Sequence, residues 1–65
     1  MTLDDIRARL EAIRIACDDD GLAHQLQDAL YFDLLTFLAQ RDDDVGALCK
    51  LAVQSSAFNF RRWYD

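Results

Sequence analysis

An unbroken apolar stretch from Ala29 to Ala39 is the feature that most constrains how this chain can fold. It contains neither Gly nor Pro, and on a helix its apolar residues fall on two stripes at helical spacing. The first stripe consists of Leu26, Leu30, Leu34 and Phe37, and the second of Tyr31, Phe32, Leu35 and Ala39. Because a helix that is apolar almost all round is covered from both sides, the pattern predicts a central helix with a packing partner on each flank.

The residues before this stretch have the pattern of an amphipathic helix. Thr2 can cap its start, with Asp5 as the acid of a capping box. Apolar residues then recur at spacings of three and four, at Leu3, Ile6, Leu10, Ile13 and Cys17. Charged residues that can pair across one turn occupy the other face, as Asp5 with Arg9, Arg7 with Glu11, and Glu11 with Arg14. The pattern predicts a first helix that packs its apolar seam on the central helix.

An aspartate triplet, 18–20, separates the first helix from the second. Gly21 follows the triplet and is expected to take the left-handed conformation that ends many helices. Asp20 is expected to cap the second helix, which the pattern extends from about Leu22 to about Gln40. Calcium binding at this turn is not expected, because the loop position that an EF-hand reserves for a bidentate Glu holds Gln27.

A second aspartate triplet, 42–44, precedes a third helix. Asp44 or Asp43 is expected to cap it, and Gly46 weakens its first turn by up to about 1 kcal/mol relative to Ala. The tail, 55–65, is rich in Phe, Trp, Tyr and Arg, which either complete a small core or form an interaction hot spot. A short fourth helix or a continuation of the third is favoured there over a strand. The predicted fold is all-α: one compact domain over residues 1–65, with three main helices and a short helical C-terminal tail.

Composition and charge narrow the classes of function. The net charge is −5 and the pI is about 4.5, which argues against direct binding to nucleic acid or to anionic membranes. The same charge allows a protein partner with a basic surface. No uncharged run approaches the roughly 20 residues of a membrane span, and no secretory leader is recognised. Cys17 and Cys49 match no metal motif and are expected to be buried, reduced thiols of a cytoplasmic protein.

The sequence has no catalytic or cofactor-binding pattern. His24 is the only histidine, and the aspartates four residues to either side of it, Asp20 and Asp28, are what a solvated polar face also produces. There is no glycine-rich phosphate loop, no CxxC and no HExxH. Consecutive aspartates rarely aim three carboxylates at one cation. A non-enzymatic protein without cofactor or metal is therefore expected.

The aspartates are the candidate binding residues. The two triplets flank the central helix about 30 Å apart, which is close to one helical turn of DNA. Arg41 is the only Arg from 17 to 44 and there is no Lys, so this region is more negative than the net charge indicates. Helix capping and solvation are the simpler explanation of the triplets, and Asp33 either sits half-exposed at the edge of a stripe or pairs with an Arg. The binding hypothesis names Asp18, Asp19, Asp20, Asp28, Asp33, Asp42, Asp43 and Asp44.

In size, acidity, helicity and lack of motifs, the chain is similar to small phage-encoded inhibitors, including anti-CRISPR proteins, several of which act as DNA mimics. This resemblance involves no residue pattern, so no functional residue carries over. It implies an inhibitor in the cytoplasm of a bacterial host, whose partner is a protein with a basic nucleic-acid-binding surface, such as a CRISPR effector subunit. The alternative is a self-associating regulatory or assembly module that uses the face of Tyr31, Phe32 and Leu35. A monomer is favoured, and a homodimer belongs to the alternative.

Overall fold

The computed structural model describes residues 1–58, which form three α-helices and one short 3-10 helix. Helix α1 spans Leu3–Ile15, α2 spans Asp20–Leu38, and α3 spans Asp44–Val53. The 3-10 turn Gln54–Ala57 continues directly from α3. The predicted all-α domain of three main helices with a short helical segment after them is therefore confirmed. The remainder of the predicted tail helix falls on 59–65, outside the described residues.

The capping box predicted for α1 is present. The Thr2 hydroxyl accepts a hydrogen bond from the Asp5 N–H at 3.1 Å, and the Asp5 carboxylate accepts one from the Thr2 N–H at 2.8 Å. The bond from the Thr2 N–H is the main reason that the pKa of Asp5 lies below its ordinary value. Two backbone donors that a helix start leaves unpaired are thus satisfied within four residues of the chain.

The middle aspartate of each triplet caps the helix that follows. Asp43 accepts from the Gly46 N–H at 3.0 Å, which agrees with one of the two caps predicted for α3. Asp19 accepts from the Leu22 N–H at 3.1 Å and caps α2, so the prediction of Asp20 as that cap is wrong by one residue. Asp20 is instead the first residue of α2, where a negative charge interacts favourably with the helix dipole.

Both glycines lie in the first turns of helices, and neither has a positive φ. The left-handed conformation predicted for Gly21 is therefore wrong, because α1 already ends at Ala16 and Gly21 belongs to α2. Gly46 is buried, and a Cβ placed on it would lie 2.7 Å from the carbonyl carbon of Arg41 and closer still to its oxygen. The absence of a side chain at Gly46 thus lets the preceding turn pack against the start of α3.

The three helices lie side by side in one layer. Helix α2 contacts α1 on one flank and α3 on the other, whereas α1 and α3 do not contact each other within the described part of the chain. The Cα atoms span 39 × 33 × 10 Å. A second layer would add the roughly 8–10 Å that separates packed helix axes, so a thickness of 10 Å corresponds to one layer. The predicted central position of α2, with a neighbour on each flank, is confirmed.

The core follows the first stripe of α2. Leu30 is its most buried residue, with 5% of its surface exposed, and Leu26 and Leu34 are half-buried on either side of it. Ala16 and Cys49 are the other buried apolar residues among those described. Because no described side chain is completely enclosed, the core is a line of contacts along α2 and not an enclosed centre.

Only one side of the predicted α1 seam meets α2. Ile6 and Ile13 are half-buried, while Leu3, Leu10 and Cys17 are exposed. The prediction that both cysteines are buried is therefore wrong for Cys17, which is an exposed free thiol on the uncovered side of the seam.

Replacement of Gly46 by Ala is expected to destabilise the chain, although Ala is the better helix former. The new methyl group would collide with the Arg41 carbonyl, and relief of such a clash costs about 1–3 kcal/mol. Gly21→Ala is the matched control: the nearest atom to a Cβ there is an Asp19 carboxylate oxygen at 3.8 Å. We expect the control to be stabilised by up to about 1 kcal/mol. Urea unfolding at one protein concentration measures both, and equal effects would contradict the close approach at Gly46.

Candidate protein-binding site

The two aspartate triplets lie at opposite ends of α2. The first ends where α2 begins, and the second follows a short connection after α2 ends. The 19 residues of α2 correspond to a length of about 28 Å. All eight candidate carboxylates are exposed. The structure therefore forms two separate acidic clusters and does not bring the eight residues together at one point.

The middle aspartate of the second triplet is engaged within the fold. Arg41 donates to the Asp43 carboxylate from Nε at 3.0 Å and from Nη2 at 2.6 Å, while Asp43 also caps α3. The hydrogen bonds from Arg41 are the largest cause of the lowered pKa of Asp43, followed by the bond from the Gly46 N–H. The same pair raises the pKa of Arg41. Since Asp19 likewise caps α2, each triplet uses its middle carboxylate to build the helix start.

The outer aspartates of each triplet have no such role. The side chains of Asp18, Asp20, Asp42 and Asp44 form no hydrogen bond or ion pair with another residue of the described chain. Asp20 and Asp44 lie in the first turns of α2 and α3, where the helix dipole favours them. Four exposed carboxylates, two at each end of α2, are therefore available to a partner.

The two aspartates inside α2 differ from each other. Asp33 accepts a hydrogen bond from Nη1 of Arg9 at 2.8 Å, which links α2 to α1. Of the two predictions for Asp33, pairing with an arginine is therefore correct. The pair predicted between Arg9 and Asp5 does not form, because Arg9 binds Asp33 instead. Asp28 is exposed and has no ion pair within residues 1–58.

The arginines of α1 do not neutralise the triplets. Of the pairs predicted within α1, the one between Glu11 and Arg14 forms, and its hydrogen bonds lower the pKa of Glu11. Arg7 pairs with Asp4 at 3.2 Å instead of with Glu11. Arg41 is thus the basic side chain of the described region that binds a triplet.

The face predicted for self-association is only partly exposed. Tyr31 and Phe32 are 55% and 45% exposed, whereas Leu35 is half-buried. The Tyr31 hydroxyl accepts a hydrogen bond from the Gln27 side chain at 3.2 Å. The two aromatic rings of this stripe are accessible, and Leu35 contributes less exposed surface than either.

Within residues 1–58, no three His, Cys, Asp or Glu side chains are arranged to hold a metal ion. His24 is exposed on α2. None of the described helices combines the length and the apolar character that crossing a membrane requires.

The pair of Asp43 with Arg41 predicts a stability that falls in acid. Because the folded pKa of Asp43 is lowered, the pair contributes fully above the ordinary carboxyl value of 3.8 and is lost as the pH falls through the lower folded value. Asp43→Asn keeps a good capping residue but removes the charge. We expect this variant to melt below the wild type near about pH 6, and the difference between the two melting temperatures to shrink as the pH falls below 3.8. Asp42→Asn is the control, and a difference that does not shrink at all in acid would contradict the ion pair.

Comparison of the chain with protein-family models, with curated proteins and with solved structures gives no match.

Proposed function

We propose that this chain is a non-enzymatic acidic protein that binds the basic, nucleic-acid-binding surface of another protein and blocks it. The observation that supports this best is the arrangement of the outer aspartates of the triplets. These four carboxylates are exposed, lie two at each end of α2, and have no cationic partner in the described chain.

The ion pairs within the fold leave most of the negative charge uncompensated. Arg9 and Arg41 neutralise Asp33 and Asp43. Six of the eight candidate carboxylates remain without a cation among the described residues: Asp18, Asp19, Asp20, Asp28, Asp42 and Asp44. Capping uses one aspartate per triplet and the helix dipole favours Asp20 and Asp44, so the helix starts do not account for Asp18 and Asp42. Neighbouring like charges repel each other, and a basic partner would relieve that repulsion while being attracted over long range.

The spacing of the clusters supports mimicry of nucleic acid. The length of α2, about 28 Å, is close to the roughly 34 Å of one DNA turn. Duplex DNA presents a charge about every 1.7 Å of its axis, and a groove built for it carries cations over a similar length. A bacterial nucleic-acid-binding complex, with a CRISPR effector as one example, is the class of target that fits this geometry.

Removal of the outer aspartates is expected to weaken partner capture. The variants are Asp18→Asn with Asp20→Asn, and Asp42→Asn with Asp44→Asn, which spare both caps. Capture from a bacterial lysate on the immobilised chain is measured by quantitative mass spectrometry. We expect each double variant to reduce capture about tenfold, and rising salt to release the partner, because exposed charges are screened.

The control changes the net charge by the same amount on α1. It combines Asp4→Asn with Glu11→Gln, two exposed residues that pair only with neighbouring arginines. Free duplex DNA of about 20 base pairs is added as a competitor for the captured protein. Capture that survives the competitor, or that falls equally in the control, would show that the triplets do not occupy a nucleic-acid-binding surface.

A further inference from the structure

One side of the helix layer presents large apolar side chains that no other part of residues 1–58 covers. Its large exposed side chains come from all three helices, and between 43% and 73% of the surface of each is exposed. This set, called the apolar face below, consists of Leu3, Leu10, Phe37, Val45 and Leu48.

Helical geometry places these residues on the same side. In α1, Leu3 and Leu10 lie about 60° around the helix from Ile6 and Ile13, which meet α2. In α3, Val45 and Leu48 lie about 100° from the buried edge formed by Gly46, Cys49 and Val53. The short connections make both helices run roughly antiparallel to α2, on opposite flanks. The leucines of α1 and the apolar pair of α3 are therefore turned toward the same side of the layer, where Leu34 and Phe37 of α2 also lie.

The other side of the layer has a different composition. Apart from Phe32, which is 45% exposed, the helices present small or polar residues at the corresponding positions, all of them exposed: Ala8, Ala12, Gln25, Ala29, Thr36, Ala47 and Lys50. The layer as a whole is therefore amphipathic. A domain is normally built from at least two packed layers around a core, and the described chain supplies one.

The area of the apolar face matches what a dimer requires. With on the order of 150–200 Å² for each fully exposed side chain of this size, the five residues present about 500 Å² of apolar surface. A standard interface buries about 800 Å² per partner, and roughly 65% of a homodimer interface is apolar, which is again about 500 Å². The 39 × 33 Å outline of the layer is large enough for such an interface.

The distribution of charge favours a second copy as the occupant. Two chains of net charge −5 repel each other unless their acidic groups stay apart. Asp28 lies about 120° around α2 from Leu34 and about 180° from Phe37, and the triplets lie at the ends of α2. Asp33 lies about 40° from Phe37, but Arg9 neutralises its carboxylate. A two-fold axis through the apolar face would therefore bring leucines together and leave the carboxylates at the rim.

We propose that a second copy of this chain covers the apolar face, so that two helix layers enclose a shared core. This surface differs from the stripe of Tyr31, Phe32 and Leu35, and the proposal does not rest on the acidic function above. The two are distinguishable because salt should act in opposite directions. Screening of the like net charges strengthens the dimer, whereas it weakens binding to a basic partner.

Sedimentation equilibrium of the full chain tests the dimer. The expected mass is twice 7.5 kDa. Leu48→Gln is expected to raise the dimer dissociation constant at least about tenfold, because a polar amide would be buried in the interface. Ile15→Gln is the matched control: Ile15 is 67% exposed against 68% for Leu48 but lies about 120° or more around α1 from Leu3 and Leu10, so its effect should stay within about twofold. A folded wild-type monomer up to about 0.5 mM, or equal effects of the two substitutions, would overturn the proposal.

A second measurement uses the unmodified chain, in case Leu48→Gln does not fold. Isotope-filtered NMR on a mixture of labelled and unlabelled copies detects contacts between chains. Contacts between copies are expected from the methyl groups of Leu3, Leu10, Val45 and Leu48. Contacts that arise instead from Ile15, which lies off the apolar face, would reject this face as the interface.

Discussion

The packing of α2 between its two neighbours is the constraint on which the rest of the structure depends. Because α1 and α3 do not contact each other in the described region, each is held in place only through α2. The ion pair of Arg9 with Asp33 joins α1 to α2, but a pair exposed to this degree contributes about 0–1 kcal/mol. Apolar contact along the line of Leu30 therefore holds the layer together. A layer stabilised in this way buries few side chains and exposes most of its residues. Both binding proposals depend on residues that are exposed in this way.

Local signals were sufficient to predict the helices and most of their starts. The capping box of Thr2 with Asp5 and the cap at Asp43 depend on side chains that reach backbone groups three residues away, so the sequence itself contains the required geometry. The α2 cap was less well determined, because three consecutive aspartates offer nearly equivalent caps. The role of Gly46 could not be predicted, because it depends on where the turn places the Arg41 carbonyl. Helix propensity alone predicts only that glycine destabilises a helix relative to alanine.

Burial was the part that periodicity could not resolve. The spacing in α1 identifies which residues are apolar, but not which side of the seam meets α2. Ile6 and Ile13 face the neighbouring helix, while Leu3 and Leu10 face away from it. The same limit applies to the carboxylates. The sequence identified Asp33 as a candidate binding residue, but its partner Arg9 is 24 residues away in the chain, and spacing along one helix could not identify it. A pattern of apolar residues predicts that one face of a helix is buried, but it does not indicate whether the same chain or another chain buries that face.

The acidic clusters and the apolar face can serve one molecule because they occupy different parts of it. The outer carboxylates lie at the ends of α2, whereas the apolar face extends across the middle of the layer. Pairing of two copies through that face would leave all four triplets exposed at the rim and would double the number of acidic clusters on one rigid body. A basic surface that contacts two clusters at once binds more tightly than one that contacts a single cluster, because the second contact forms at a high effective concentration. A single exposed aspartate attracts a basic partner only weakly, because salt screens its charge. Dimerisation through the apolar face would increase the total attraction, since it brings more aspartates onto one particle.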